Sequence, residues 1–457
     1  MAPVLILIPA LIALAMLRTH SAGRVALKVY VPCIMLVPMY MQFHIGGLVL
    51  NVASFVSLFL AAVGVYTWSS SLKFTFVDGC VLAYAFTGFM ADFTRHDAKL
   101  GVYGFLLFFS KCVCPYWIGR TLIEQTGMRK EFVRMFVLCM AVIAVLSLYE
   151  YKTETNLFQD AVVKITHSWV DWGRQTRWGF ARVAGPYGHA IVAGIIFSTG
   201  LMLQLWLAGT KSWNSPKLLS FIRSRRKSLY VTLAILLGLF MTQSRGPWLG
   251  CVFGLIVASI GFARDRKRAA ILSLSVLAIA ATVASVGINK YTDIDDSKVT
   301  DRDQLNASYR RELITIYMPV IEEGGLWGWG TPQILSSGRG GYSTDHDSID
   351  NHYLFVGLWQ GLAGLSLLVA MIVLTIIHLI RLCITFRSRD DILFAYCMLG
   401  AMVAIAFSAS TVSLTDPMSQ ILYLFLGWCA SIRPTRTQQD TFAPVATSRF
   451  AFQRVFA

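Results

Sequence analysis

The sequence predicts an all-α fold: a polytopic membrane helix bundle of about 12–13 spans, with one long, partly helical polar loop in its C-terminal third. Three observations carry that prediction. The 457 residues are 56% hydrophobic and only 14% charged, with a mean hydropathy of +0.59, a balance found in membrane proteins rather than soluble domains. Apolar runs of about 15–24 residues recur along nearly the whole chain, close to the roughly 20 residues a helix needs to cross a bilayer. The basic residues gather in alternate loops, and the acids concentrate in a different one.

The runs lie near residues 3–17, 29–43, 48–66, 76–93, 101–119, 131–149, 186–208, 229–243, 247–263, 269–288, 354–380, 392–413 and 418–431. Backbone groups in lipid must be satisfied within the segment, so these runs are helices, not an open sheet. A barrel would show alternating segments of about ten residues, and none appears. The first run lacks a basic leader and reads as a retained span rather than a signal peptide. All nine cysteines fall in or beside apolar runs, where they behave as small buried hydrophobes.

The formal charge of +15 is not a nucleic-acid signal, because of where it sits. Arg18, Arg24 and Lys28 occupy one loop, and Lys211, Lys217, Arg223, Arg225, Arg226 and Lys227 a second. Arg264, Arg266, Lys267 and Arg268 form a third, and Arg381, Arg387 and Arg389 a fourth. Basic loops stay cytoplasmic, so these loops and the tail at Arg433 and Arg436 face inward, and the N-terminus faces outward. The chain then divides into N-terminal helices (1–150), an interfacial loop on the outer face (151–185), central helices (186–288), a large outer loop carrying the chemistry (289–352), C-terminal helices (353–432) and a cytoplasmic tail (433–457).

The first outer loop carries Leu157, Phe158, Ala161, Val162, Ile165 and Trp169 at helical spacing, followed by Trp172 and Trp178 interleaved with Arg174, Arg177 and Arg182. That pattern predicts a helix lying at the interface with tryptophans at headgroup depth; for the tryptophans alone, a plain aromatic belt is the better fit. In the second loop, Tyr309, Leu313, Ile316, Tyr317 and Val320 form one apolar helical stripe. Arg310 falls on or beside that stripe, and Arg311 on the wetter side. Pro319 is expected to kink or end this helix. Gly324-Gly325 and Gly328-Trp329-Gly330 make a turn-rich exit.

Arginines at the outer surface are the first candidate binding groups. Arg245 sits in Gln243-Ser244-Arg245-Gly246-Pro247, a turn of very few residues between two short spans. A cation there opposes the positive end of the helix dipole, and placing arginine within a membrane costs about 2.5–3.5 kcal/mol. The economical partner is an anion, since helix N-termini favour phosphate and guanidinium grips it with a two-pronged fork. An arginine snorkelling to water is the bland alternative. Arg182 and Arg310 lie on the same face, from separate segments, and three convergent guanidinium groups suit a diphosphate, both to bind it and to stabilise it as a leaving group. The candidate bases are Asp345, His346, Asp347, Asp350 and His352, crowded just before the next span. The Asp-His-Asp run could instead hold a divalent cation or be a solvated loop, and Asp350 could be the N-cap of the following helix. There is no phosphate-binding P-loop, zinc-protease motif, nucleophile elbow or cofactor fingerprint. Few charges lie within the spans, with Glu150, Asp78 and Asp92 near their ends, which weighs against a proton-coupled transporter.

Four of these features together resemble the O-antigen ligase/polymerase superfamily of bacterial membrane proteins. Arg182-x-x-Gly185-Pro186-x-x-His189 opens a span, and Ser244-Arg245-Gly246-Pro247 sits in an outer turn. Tyr309-Arg310 is followed about eighteen residues later by Gly328-Trp329-Gly330, and Asp350-Asn351-x-Tyr353-Leu354 leads through Gly357 and Gly361 to Gly364. The resemblance covers roughly residues 180–380. It implies a GT-C-like architecture in the bacterial inner membrane with a periplasmic site, and a glycosyltransferase that needs neither metal nor other cofactor. Its donor would be an undecaprenyl-diphosphate-linked glycan, and its acceptor a glycan or the lipid A core. Membrane lipid and a chain-length regulator are the further partners implied, as in O-antigen or exopolysaccharide assembly. Arg245 and Arg310, with Arg182 and Arg311 as weaker candidates, would hold the diphosphate; Asp350, His352 and Arg310 are the candidate catalytic residues. Ligases of the family carry His-Asn where this chain has Asp350-Asn351, with His352 displaced, so the polymerase branch is the closer likeness.

Overall fold

Most of the apolar runs fall on helices, and the helices pack side by side as the hydropathy pattern requires. The computed structural model describes residues 2–38, 40–45, 48–68, 72–166, 175–213, 224–292, 302–331 and 349–433. The chain opens with α1 (Ala2–Leu17), α2 (Ala22–Val25), a π-helical turn (Ala26–Tyr30) and α3 (Val31–Leu36), then α4 (Val52–Trp68) and α5 (Phe76–Arg95). Next come α6 (Ala98–Phe108), a second π turn (Phe109–Val113), α7 (Cys114–Leu122), α8 (Arg129–Thr153) and the short α9 (Leu157–Thr166). The central helices are α10 (Ala190–Gly209), α11 (Ser224–Met241), α12 (Arg245–Phe262) and α13 (Arg266–Thr292). After α14 (Arg302–Gly324) come α15 (His352–Thr385), α16 (Arg389–Ala409) and α17 (Met418–Ser431).

By length and composition, seven of the described helices can cross a membrane: α5, the α6–α7 unit, α8, α10, α12, α15 and α16. Leu7–Leu17, Val52–Thr67 and Met418–Ser431 are shorter apolar helices. The protein is therefore an all-α multi-pass membrane bundle. Both π turns sit just before a proline, Pro32 and Pro115. Proline lacks the N–H for the ordinary i→i−4 bond, and the preceding turn widens to accommodate it.

Small residues set how closely the helices approach. On α12, Gly246, Gly250 and Gly254 recur every fourth residue; a Cβ added at Gly250 would lie 2.9 Å from the Ala404 carbonyl oxygen, and one at Gly254 2.7 Å from that of Gly400, both on α16. That spacing lets two backbones touch, the usual basis of association where no water is available to drive burial. Gly119 of α7 meets the α17 backbone at Leu424 and Trp428 in the same way. Helix α10 is buried along nearly its whole length and forms the central post, with Phe197 and Trp206 fully enclosed.

Several local expectations need correction. The run at 29–43 does not stay helical: α3 ends at Leu36, and β1 (Gln42–Ile45) pairs with β2 (Leu48–Asn51) in an antiparallel hairpin. A second hairpin joins β3 (Thr176–Arg177) to β4 (Phe180–Ala181). Its two turn residues, Trp178 and Gly179, both have positive φ, 54° and 78°, the backbone twist that a two-residue hairpin turn requires. The interfacial helix α9 stops at Thr166; Trp169, Trp172 and Arg174 lie outside the described residues. Helix α14 runs through Pro319 to Gly324 instead of ending at the proline. The N-cap of α15 is Asn351, whose Oδ1 accepts from the N–H groups of Tyr353 (2.9 Å) and Leu354 (3.2 Å), so Asp350 is not the cap.

Helix α15 is broken at Gly361, which has φ 67° and ψ −165°. The break would orphan backbone groups inside an apolar bundle. The Gly-Trp-Gly segment satisfies them: Trp329 N–H donates to the Leu358 carbonyl (2.9 Å) and Gly330 N–H to that of Trp359 (3.1 Å), while Leu362 and Ala363 N–H groups donate to the Gly325 and Leu326 carbonyls (both 3.1 Å). Leu313, Val320 and Ile321 of α14 pack on Leu354 and Leu358 of α15, so the apolar stripe read in the loop is a docking face for this broken helix.

Candidate functional site

The turn between α11 and α12 is only Thr242, Gln243 and Ser244, all buried. Gln243 adopts φ 48°, which lets the chain reverse in so few residues. Pro247 packs against Gly194 of α10, and Gly246 packs against Thr411 in the segment joining α16 to α17. The turn is thus clamped from two sides, and it presents Arg245 as the first residue of α12, where the helix N-terminus already carries partial positive charge.

Arg182 converges on the same turn. Its Nε donates to the Thr242 carbonyl (3.3 Å), one terminal nitrogen to Ser244 Oγ (2.9 Å) and the other to Gln175 Oε1 (3.0 Å). Arg177 donates to the Gln243 carbonyl at 2.8 Å, and Val183 N–H to that of Met241 at 3.2 Å. The β3–β4 hairpin therefore lies along the turn, bound through the turn's backbone carbonyls. The Arg245 guanidinium is exposed and stands 6.0 Å from the Trp178 ring at the hairpin tip. Below it, Trp248 stacks on Phe240 with centroids 5.6 Å apart. Two of the arginines picked out by the sequence thus meet at one turn, above an aromatic surface.

Residues to which the sequence reading gave no site role hold this arrangement. Glu150, near the end of α8, is buried and accepts from Ala184 N–H, Gly185 N–H and Asn156 Nδ2, each at 3.0 Å. A buried carboxylate with three donors is a structural anchor. It fixes the Gly185-Pro186 turn ahead of α10, where Gly185 has φ 56°. His189 caps α10, its Nδ1 accepting from Ile191 N–H at 3.2 Å, and its Nε2 lies 3.2 Å from the Gln175 amide. Burial, followed by the nearby Arg182 charge, holds the His189 imidazole below its ordinary pKa, while Asp350 pulls in the opposite direction. His189 thus feels both Arg182 from the first polar loop and Asp350 from the second.

Asp350 is half-buried and sits one residue ahead of the Asn351 cap. His352 is buried, and its Nδ1 accepts from Leu414 N–H at 3.3 Å. With Nδ1 so used, the neutral ring carries its proton on Nε2 and has no second lone pair to act as a base. Arg310 and Arg311 lie on α14, and their side chains are outside the described residues, as are Asp345, His346 and Asp347. Among the described residues, no three His, Cys, Asp or Glu side chains stand together as a metal-ligand set.

One charge lies well inside a span, and those the sequence placed near the span ends are held by partners across the bundle. Lys111, within the second π turn, pairs with Asp416 at 2.7 Å, and Asn51 Nδ2 donates to the same carboxylate at 3.4 Å. Arg120 and Asp78 form a fully buried pair at 3.0 Å. Asp92 accepts from Thr331 N–H (2.6 Å) and Oγ1 (3.0 Å), while Arg95 donates to the Gly328 and Gly324 carbonyls and covers the Trp329 ring at 4.5 Å. A lysine inside an apolar run is the signal in the sequence for the first pair; nothing local points to its partner 305 residues later.

Residues 230–369 match the family model described as O-Antigen ligase. The matched stretch runs from α11 into α15 and contains Arg245, Arg310, Asp350 and His352, while Arg182 precedes it. No curated protein matches the chain.

Proposed function

We propose, from the match of residues 230–369 to the O-Antigen ligase family model, that the chain is a membrane glycosyltransferase polymerising polyprenyl-diphosphate-linked oligosaccharide repeats. The reaction would take place at the periplasmic face of the bacterial inner membrane. The observation that carries this reading is the meeting of Arg182 and Arg245 at the 242–244 turn, beside His189 and within electrostatic reach of Asp350.

In this reading Arg245 binds the diphosphate of the donor, with Arg310 as its second ligand, and the exposed aromatic surface under Arg245 faces the lipid. Arg182 has spent three donors on the turn and its neighbours, so it shapes the site and adds positive potential rather than gripping oxygen with its full fork. An acceptor hydroxyl attacks the anomeric carbon; a new C–O bond forms as the bond to the diphosphate breaks, and the leaving diphosphate takes the electron pair. The hydroxyl proton passes to Asp350, the half-buried carboxylate just ahead of the start of α15. His352 orients the start of α15 through its bond to Leu414. Fixed positive charge placed where the leaving group's charge develops lowers such a barrier by about 3–4 kcal/mol per donor.

The family's description favours a second reading, transfer of finished polymer to the lipid A core. Asp350-Asn351, in place of the ligases' His-Asn, supports polymerisation. Deletion of the gene separates the two: a polymerase deletion accumulates single lipid-linked repeats, whereas a ligase deletion retains lipid-linked polymer but loses the lipid A-attached form.

A further inference from the structure

We infer that the cavity roofed by α9 binds the acceptor saccharide, an uncharged, polyhydroxylated ligand whose attacking hydroxyl is presented past Arg182 to the donor; this rests on the transferase reading above. The cavity has a volume of about 450 Å³ and opens between the end of α8, α9 and the β3–β4 hairpin. That is within the range of about 300–1,000 Å³ usual for small-ligand sites. Arg182 and Gln175 form its wall toward the 242–244 turn, so the space begins where the arginine site ends.

The lining chemistry selects the ligand class. An amide (Gln159) and hydroxyls (Thr155, Thr176) alternate with charged groups of both signs, while Asn156 and Gln175 are committed to bonds within the wall. Three carboxylates, Glu150, Glu154 and Asp160, face two cations, Lys164 and Arg182, which disfavours a second phosphate. Paired amide and carboxylate groups match the donor and acceptor pattern of vicinal hydroxyls, because each sugar hydroxyl both donates and accepts. The floor is pre-built. Glu150 holds Asn156 and the Gly185 turn, and Asn156 in turn accepts from Phe158 N–H (2.9 Å) and Gln159 N–H (3.0 Å) at the start of α9. Gln159 is thereby placed on a rigid helix start, one residue before Asp160, and both line the cavity.

The test uses the purified full chain in lipid nanodiscs. The donor is lipid-linked glycan extracted from cells lacking this gene, and the acceptor is the same glycan, released from its lipid by mild acid and fluorescently labelled. Equilibrium binding of the labelled glycan is measured first, followed by transfer kinetics. The double variant Gln159→Ala/Asp160→Asn is expected to weaken glycan binding and to raise the acceptor KM on the order of tenfold, the loss of one or two hydrogen bonds, with kcat and donor KM unchanged. Ile165→Ala, on the same helix but exposed and outside the cavity lining, keeps the amide and carboxylate and reports general damage to α9. Unchanged acceptor binding in the double variant, or a shift confined to the donor KM, overturns the inference. Wild-type protein that binds the glycan but forms no glycosidic bond sinks the transferase reading while leaving the binding site standing.

Discussion

Arg182 reaches 62 residues along the chain to donate to Ser244 Oγ at 2.9 Å, and so fastens the first polar loop to the turn that presents Arg245. Separating the two arginines by mutation therefore tests different things. Arg245→Ala is expected to abolish long-chain glycan in cells at unchanged protein level, with transfer reduced at least about 100-fold, the usual cost of a lost leaving-group donor. Arg245→Lys keeps the charge without the two-pronged fork and is expected to recover only part of the rate. Polymer length on gels and protein level on immunoblots are the measurements. Arg182→Ala is expected to lower thermal stability as well, because it strips partners from Thr242 and Ser244.

Asp350 and His352 are two residues apart and are expected to fail differently. Asp350→Asn removes the proton acceptor and is expected to cost about 100- to 10,000-fold in rate with little loss of stability. His352→Phe leaves the buried Leu414 N–H without its acceptor, a penalty of about 1–3 kcal/mol. Melting temperature and single-turnover rate, measured on the same preparations, distinguish the two. Equal rate losses with equal melting points would count against these separate roles.

The helices and the arginine turn were legible in the sequence because hydropathy and charge are local properties: runs of apolar residues require helices, and a three-residue turn leaves Arg245 at a helix start wherever the rest of the chain goes. The bonds that join distant segments were not legible. Nothing near Lys111 announces Asp416, and nothing near Glu150 announces the Ala184 and Gly185 amides it accepts from. The cap of α15 could have gone to Asp350 or Asn351, adjacent residues of similar capping strength, and only the backbone geometry decides for Asn351. The glycines of Gly328-Trp329-Gly330 read as a turn; their role as the strap that satisfies a broken helix depends on Gly361, which is invisible until both are in contact.

That strap makes its own prediction. Gly361→Ala forces a Cβ into a positive-φ position already crowded by the Leu326 carbonyl and the Gly328 amide. Backbone strain alone costs about 1–3 kcal/mol, and loss of the strap bonds adds to it. Reduced yield and a lower melting temperature are expected, and Gly328→Ala should behave alike. Normal stability in both would contradict the pairing.

The Lys111–Asp416 pair lies mostly out of water, so removing one partner is worse than removing both. Lys111→Met alone is expected to cost about 3–5 kcal/mol, and Lys111→Met/Asp416→Leu less than that. Asp416 closes the segment whose Thr411 and Leu414 contact Gly246 and His352, so the single variant should also lose transferase activity.

Acid should loosen the site through His189. Its pKa is below the ordinary 6.5, so the folded protein binds fewer protons than the unfolded chain. The contribution is fully present above about pH 6.5 and is lost as pH falls through the depressed value. His189→Asn retains a good N-cap and is expected to flatten that part of the curve. Melting temperature measured from pH 7.5 down to about pH 5 in both proteins checks the sign.

Purified protein incubated with extracted lipid-linked repeat and no other enzyme is the most direct measurement. A ladder of lengthened lipid-linked glycan from the wild type, absent with Arg245→Ala and with Asp350→Asn, is the predicted result. No new glycosidic bond from the wild type, or an equal ladder from Arg245→Ala, would contradict a diphosphate held at the turn that Arg182 and Arg245 share.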